Sequence, residues 1–209
     1  VYPIGEKYCT DPPPPEWGNR INNYMTDIYE IMNISIPETS AGNYIEYKQG
    51  DYKSEDVLYN ATGTWGTIAE KGCLPTSIAI IASGYGKTSS TGEIYTPETI
   101  ITDGILPEIS NHTNAKKALE KLGLNLGEQT YTSDSNAEET ILSHLESGNP
   151  VLVHCSEGYY TSGGHYMTLI GVRGRKVYLS NPGSRSKTGY VDISTLISRN
   201  VDWFAVVNP

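Results

Sequence analysis

A cysteine, a histidine and a side-chain amide, the residue types that together make an activated thiol nucleophile, occur in this sequence in settings that single them out. Cys73 lies within GTIAEKGCLPTSIAIIASGYG (residues 66–86), where a glycine-rich turn meets a short apolar helix. Gly72 allows a tight backbone turn, Pro75 is tolerated in a first helical turn, and Ile78, Ile81 and Ala82 recur at the spacing of a buried helical face. The thiol is therefore expected at a helix N-terminus. Unpaired N–H groups and the positive end of the helix dipole favour the thiolate there, which is the reactive form. A small buried hydrophobe is the competing reading of a free cysteine.

A thiol nucleophile needs a base within hydrogen-bond reach and a third group to hold the base, and these can be far apart in sequence. Four histidines compete. His112 precedes a helix and reads as a solvated loop residue, and His144 falls near the polar boundary of a helix. His154 sits inside an apolar strand, where a satisfied core histidine is expected. His165 differs: it opens a strand directly after Gly163 and Gly164, where a ring can face a cleft. One hairpin later Asn181 ends the neighbouring strand before Pro182, so two adjacent antiparallel strands would bring this amide beside His165.

GTIAEKGCLPTS, with the preceding YKQGDY and the later GGHYMTLIGV and VYLSNPGS, resembles the bacteriocin-processing, double-glycine-peptidase-like branch of the papain-like cysteine peptidases, over roughly residues 44–208. The resemblance implies Cys73 as nucleophile, His165 as base, Asn181 as orienter and Gln49 as oxyanion-hole donor. It implies a papain-like fold and hydrolysis of peptide bonds through an acyl-enzyme, with no cofactor and no metal. Peptidoglycan is the alternative substrate, for an amidase or endopeptidase of the cell wall. A catalytically silent binding module on the same fold is the reading from another class. Three departures stand out: Leu74 follows the cysteine where many relatives carry Gly, Asn181 replaces the commoner Asp, and Asp51 to Trp65 is longer than expected between Gln and Cys.

The elements that must position these residues run as follows. Residues 1–43 read as an N-terminal extension, with the polyproline stretch DPPPPEW and an amphipathic helix from about Arg20 to Met32; residues 44–209 read as the peptidase domain. Tyr44, Ile45 and Tyr47 predict a short strand, followed by a polar loop to Trp65. After the cysteine helix come a short helix near Pro97 to Ile101 and a firmer one over about Asn114–Leu122, closed by Gly123. A strand over Leu124–Tyr131 and a helix over about Ala137–Ser147 follow. From Pro150 onward the pattern is β: VLVHC (151–155), HYMTLIGV (165–172) and KVYLSNP (176–182), with a short helix at about Ile193–Leu196 and a last strand at Trp203–Val207. Helices first and then an antiparallel sheet make an α+β protein, its helical N-terminal half packed on the sheet.

With 209 residues, a formal net charge of −9 and no basic cluster, the chain has no means of neutralising nucleic-acid phosphates. No apolar run reaches the length of a membrane span. Three cysteines without CxxC spacing argue against zinc and against a disulfide framework. One Cys9–Cys155 bridge and two reduced thiols both fit the sequence. The chain opens on VYPIGEKYC with no visible signal peptide, so a secreted or cell-surface bacterial enzyme would have lost its signal before this point. Oligomeric state is left open.

Overall fold

In VLVHC, successive side chains must point to opposite faces of a sheet, and nearly every one is apolar, so this strand needs cover on both sides. The computed structural model, which describes residues 39–40, 44–52, 57–60, 63–106 and 112–209, supplies that cover. The strand (β6, Val151–Cys155) lies inside an antiparallel sheet between β10 (Val201–Asn208) and β7 (His165–Arg173). Beyond β7 come β8 (Lys176–Ser180) and β9 (Gly189–Asp192). The short strands β4 (Asn125–Leu126) and β5 (Thr130–Tyr131) pair with β10, and β1 (Thr39–Ser40) pairs with β7. A separate hairpin joins β2 (Val57–Asn60) to β3 (Gly63–Thr67). The described residues fall in one compact unit, Glu38–Pro209.

Alternation along the strands divides the core in two. Leu152, Tyr166, Trp203, Ala205 and Val207 face a helical layer made of α2 (Cys73–Gly84), α3 (Pro97–Thr102) and α4 (His112–Lys121). Val151, Val153, Cys155, Met167, Leu169 and Phe204 face the other way, onto α5 (Ala137–Glu146) and α6 (Ile193–Ser198). Arg175, buried in the β7–β8 turn, pairs with Glu138 and Glu139 at the start of α5, so its charge is matched where water is excluded. The two apolar clusters give the sheet the rigidity that a site built across its strand ends requires.

This is the α+β architecture expected, with helices packed on an antiparallel sheet. Several elements differ in detail. Tyr44 to Tyr47 form no strand: the Ile45 N–H donates to Ser83 Oγ at 2.8 Å, so the segment binds α2 rather than a sheet edge. The expected loop to Trp65 contains the β2–β3 hairpin. The expected strand over 124–131 is two short pieces, because the chain leaves the sheet at Gly127 after its N–H reaches Val206 O at 2.8 Å. Strand β9 was not foreseen in the sequence, its four residues being only half-apolar and mostly half-exposed. Cys155 is fully buried and is a free thiol among the described residues, while its bridge partner in the sequence reading, Cys9, lies outside them. Cys9, the polyproline stretch and the expected helix over 20–32 lie outside the described residues. No helix among those described is long and apolar enough to cross a membrane.

Candidate active site

Cys73 is the first residue of α2, as its sequence neighbourhood predicts. A preceding single-turn helix, α1 (Ile68–Lys71), delivers the chain to it. Thr67 and Glu70 close a reciprocal capping box on that turn, satisfying N–H groups that a helix start leaves free. Gly72 then links the two helices with φ of −84°, so a left-handed turn is not what demands glycine here. Space is: a Cβ on Gly72 would stand 2.3 Å from the Ile68 carbonyl oxygen and 2.6 Å from Ile68 Cγ2. Helix α2 is buried from Leu74 to Ser83 on every side, not on the single face that Ile78, Ile81 and Ala82 mark. The helix is thereby anchored in the core, with the half-buried Cys73 at its first position on the edge of it.

Backbone N–H groups of Tyr166, Leu74 and Cys73 itself point at the sulfur. They lower the thiol pKa, as does the charge of Lys71, yet burial outweighs them and holds the thiol above its ordinary value of 9.0. The helix terminus that favours the thiolate is present, and burial is the larger effect opposing it.

His165 opens β7, and its neighbour Tyr166 supplies one of the N–H groups aimed at Cys73. His165 Nε2 lies 2.9 Å from Asn181 Oδ1, which bears out the juxtaposition read from the two strand ends. Asn181 is fully buried just after β8, and its Oδ1 also accepts the Gly183 N–H at 2.9 Å. That second bond settles the tautomer. With an N–H already pointing at it, the atom facing His165 must be the oxygen, so Nε2 carries the proton it donates. In the neutral ring Nδ1 is then left with a lone pair. Burial pulls the His165 pKa below its ordinary value of 6.5 despite the opposing Asn181 bond, and His154 and Lys187 add smaller contributions in the same direction.

Gln49 enters from the other side. It begins a single 3-10 turn, Gln49–Asp51, and its Nε2 donates to Ala69 O of α1 at 2.9 Å. One of its two amide protons remains for another acceptor. The turn is sewn to the histidine's support: Gln49 N–H donates to Pro182 O at 3.0 Å, and the buried Lys48 Nζ donates to Asn181 O at 2.9 Å and to Thr188 Oγ1 at 2.8 Å. Lys48 is a positioning residue that the sequence reading missed; nothing but its place beside Gln49 marked it.

Gln49, Cys73 and His165 line one cleft of about 650 Å³, with Asn181 behind His165 and outside the lining. All four sequence-predicted residues thus converge. His154 lines the cleft too, which corrects its reading as a core residue. His112 is likewise no solvated loop residue: it starts α4, places Nε2 3.0 Å from Gly127 O and meets Trp203 edge-on. Among the described residues no group of three or more His, Cys, Asp or Glu is placed to hold a metal ion.

A thiol, an imidazole held by a buried amide, and the side-chain amide of Gln49 thus meet at one cleft. A model of the Peptidase_C39 like family matches residues 43–205, and the chain belongs to that family. Among solved structures, it is similar to a C39-like peptidase from Bacillus anthracis, with 13% identity over 83% of this chain and 98% of the other and a TM-score of 0.49. It is also similar to the peptidase domain of Streptococcus ComA, a bifunctional ABC transporter, with 16% identity over 74% and 99% of the two chains and a TM-score of 0.49. A third is a double glycine motif protease from an AMS/PCAT transporter in complex with its leader peptide, at 18% identity over 66% and 84% and a TM-score of 0.42. No curated protein shows significant similarity to the chain.

Proposed function

We propose that this protein is a cysteine peptidase in which Cys73 is the nucleophile, His165 the general base and acid, Asn181 the orienter of His165, and Gln49 with the Cys73 N–H the oxyanion hole. The observation that carries the reading is the double acceptance at Asn181 Oδ1, from His165 Nε2 and from Gly183 N, because it leaves Nδ1 unprotonated in the cleft that Cys73 lines. Nδ1 takes the Sγ proton as the sulfur attacks the substrate carbonyl carbon. The carbonyl oxygen becomes an oxyanion that accepts from the Cys73 N–H, unpaired within its helix, and from the second Nε2–H of Gln49. Collapse breaks the C–N bond, and Nδ1–H protonates the departing amine. Water then gives its proton to Nδ1 and its oxygen to the acyl carbon, releasing a carboxylic acid and restoring the thiol.

A resting thiol beside a neutral imidazole suits this sequence of transfers. The proton moves only when a substrate carbonyl is present to take up the negative charge. The test is a screen of wild type and Cys73→Ala against a peptide library and against purified peptidoglycan. Cleavage of peptides by wild type alone, with both proteins unfolding at the same temperature, supports the reading. Turnover by Cys73→Ala at the wild-type rate overturns it, and release of peptidoglycan fragments without peptide cleavage overturns the substrate class.

A further inference from the structure

His154 is held far more tightly than a histidine filling a core needs to be. Its ring stacks on Trp203, with centroids 5.4 Å apart and planes 10° from parallel, and meets Tyr166 edge-on at 4.9 Å. Its Nδ1 lies 3.0 Å from Asp202 Oδ1, and the other carboxylate oxygen accepts the Ser156 hydroxyl at 2.8 Å. In a regular strand Asp202 and Trp203 would face opposite sides of the sheet and only one of them could touch His154. Here the register between β10 and β6 shifts between Val201 and Trp203, so Asp202 is the extra residue of a β-bulge. The bulge turns the carboxylate onto the ring that Trp203 already covers, the kind of re-aiming bulges perform beside active sites.

The ring's other nitrogen has been left open on the cleft side. A Cβ on Gly164 would lie 3.1 Å from His154 Nε2, so a side chain there would cover it, and Gly164 and His154 both line the cleft with Cys73 and His165. The carboxylate of Asp202 can only accept, so in the neutral ring the proton sits on Nδ1 and Nε2 presents a lone pair. Among the described residues Nε2 has no hydrogen-bond partner.

We propose that His154, locked by Asp202 and Trp203, is a substrate-binding residue whose Nε2 accepts a backbone N–H of the peptide lying in the cleft. The proposal rests on the peptidase reading above and adds to it a fixed main-chain anchor, set apart from the residues that handle the scissile bond. Such an anchor sets the register of the peptide without reading its side chains. It acts on ground state and transition state alike, so its loss raises KM and leaves kcat in place.

The experiment uses a peptide found to be cleaved by the wild-type protein and a set of variants of it in which one backbone N–H at a time, away from the scissile bond, is replaced by an ester oxygen. For wild type, one ester position raises KM by about threefold to tenfold, the loss of a single neutral hydrogen bond. For His154→Ala and His154→Gln, KM on the all-amide peptide rises by a similar factor at unchanged kcat. His154→Ala no longer distinguishes ester from amide at that one position, while His154→Gln, whose amide oxygen can accept, recovers part of the distinction. A purely structural histidine leaves the ester pattern of wild type intact in both variants, and that result overturns the proposal. So does a fall of kcat to the level of Cys73→Ala, which would make His154 a base. Binding of the same peptides to Cys73→Ala, measured by calorimetry, gives the ester pattern without turnover and separates failure of the anchor from failure of the peptidase reading.

Discussion

Gly183→Ala puts one methyl group on an exposed residue and is expected to slow the proposed peptide cleavage well beyond what its surface position suggests. Surface substitutions of this kind ordinarily change stability by less than about 0.5 kcal/mol. At Gly183, however, the new Cβ would stand 2.9 Å from His165 Cε1, 3.2 Å from Nε2 and 3.5 Å from Asn181 Oδ1. Non-bonded carbon atoms settle at about 3.5–4.0 Å, so ring and methyl must part by roughly 0.6 Å or more. Asn181 is fully buried and its Oδ1 holds the Gly183 N–H, so the ring is the partner with room to move, out into the cleft. That motion stretches the 2.9 Å bond to Asn181 and swings Nδ1 away from its proton donor. A misplacement on the order of 1 Å costs about a hundredfold in rate, so the expected loss in kcat is about tenfold to a hundredfold. KM should change little, because the peptide does not depend on His165 for its grip. Steady-state kinetics on a cleaved peptide and thermal unfolding of both proteins check this. Wild-type kcat in a stably folded Gly183→Ala would show that the His165–Asn181 contact does not set the rate, and the reasoning from tautomer to base would fall with it.

Gln49→Ala should lower kcat by about a hundredfold or more, near 3 kcal/mol of transition-state stabilisation, at nearly constant KM, while iodoacetamide still labels Cys73; Gln49→Glu should be at least as damaging, since it sets a carboxylate against the Ala69 carbonyl and the developing oxyanion. His165→Ala should approach the loss seen for Cys73→Ala, whereas Asn181→Ala keeps measurable turnover. Because His165 is pulled below 6.5 and Cys73 is held above 9.0, kcat/KM should have its acid midpoint below 6.5 and stay level through neutral pH. The Asn181 bond raises the His165 pKa, so the acid midpoint moves lower in Asn181→Ala and higher in Asn181→Asp, where a carboxylate favours the protonated ring. A depressed histidine pKa means the unfolded chain binds the proton more readily, so the contribution of His165 to stability is present above 6.5 and is lost as pH falls from there toward the folded pKa. Denaturant midpoints of wild type and His165→Gln across that range measure the difference.

Strands β6, β7, β8 and β10 were legible in the sequence because each is an apolar run closed by Gly, Pro or Asn, and helices α2 to α5 because their apolar spacing and end signals agree. The positions of Cys73, His165 and Asn181 followed from those strand and helix ends. What escaped was set by tertiary contact. Nothing local in YKQGDY tells that Lys48 reaches Asn181, and nothing in HCSEG tells that a bulge in β10 will bring Asp202 to His154. The opposing effect of burial at Cys73 escaped for the same reason. A helix terminus can be read from sequence, but the burial that overrides it depends on what packs above.

On the proposed reading, the bonds from Lys48 to Asn181 and from Gln49 to Pro182 also set when the site can assemble during biosynthesis. The two partners of the first bond are 133 residues apart, so a ribosome adding about 5–20 residues per second needs on the order of ten seconds or more to supply the second after the first. For most of that interval Cys73 is already made while His165 and Asn181 are not, and Gln49 still lacks its bond to Pro182. On the proposed mechanism the nascent chain then carries a thiol that can be alkylated or oxidised before the residues it needs for cutting peptides have been brought to it. On the same reading, a cleavage or truncation that removes either end of that clasp would leave Cys73 and His165 without the support the folded chain gives them.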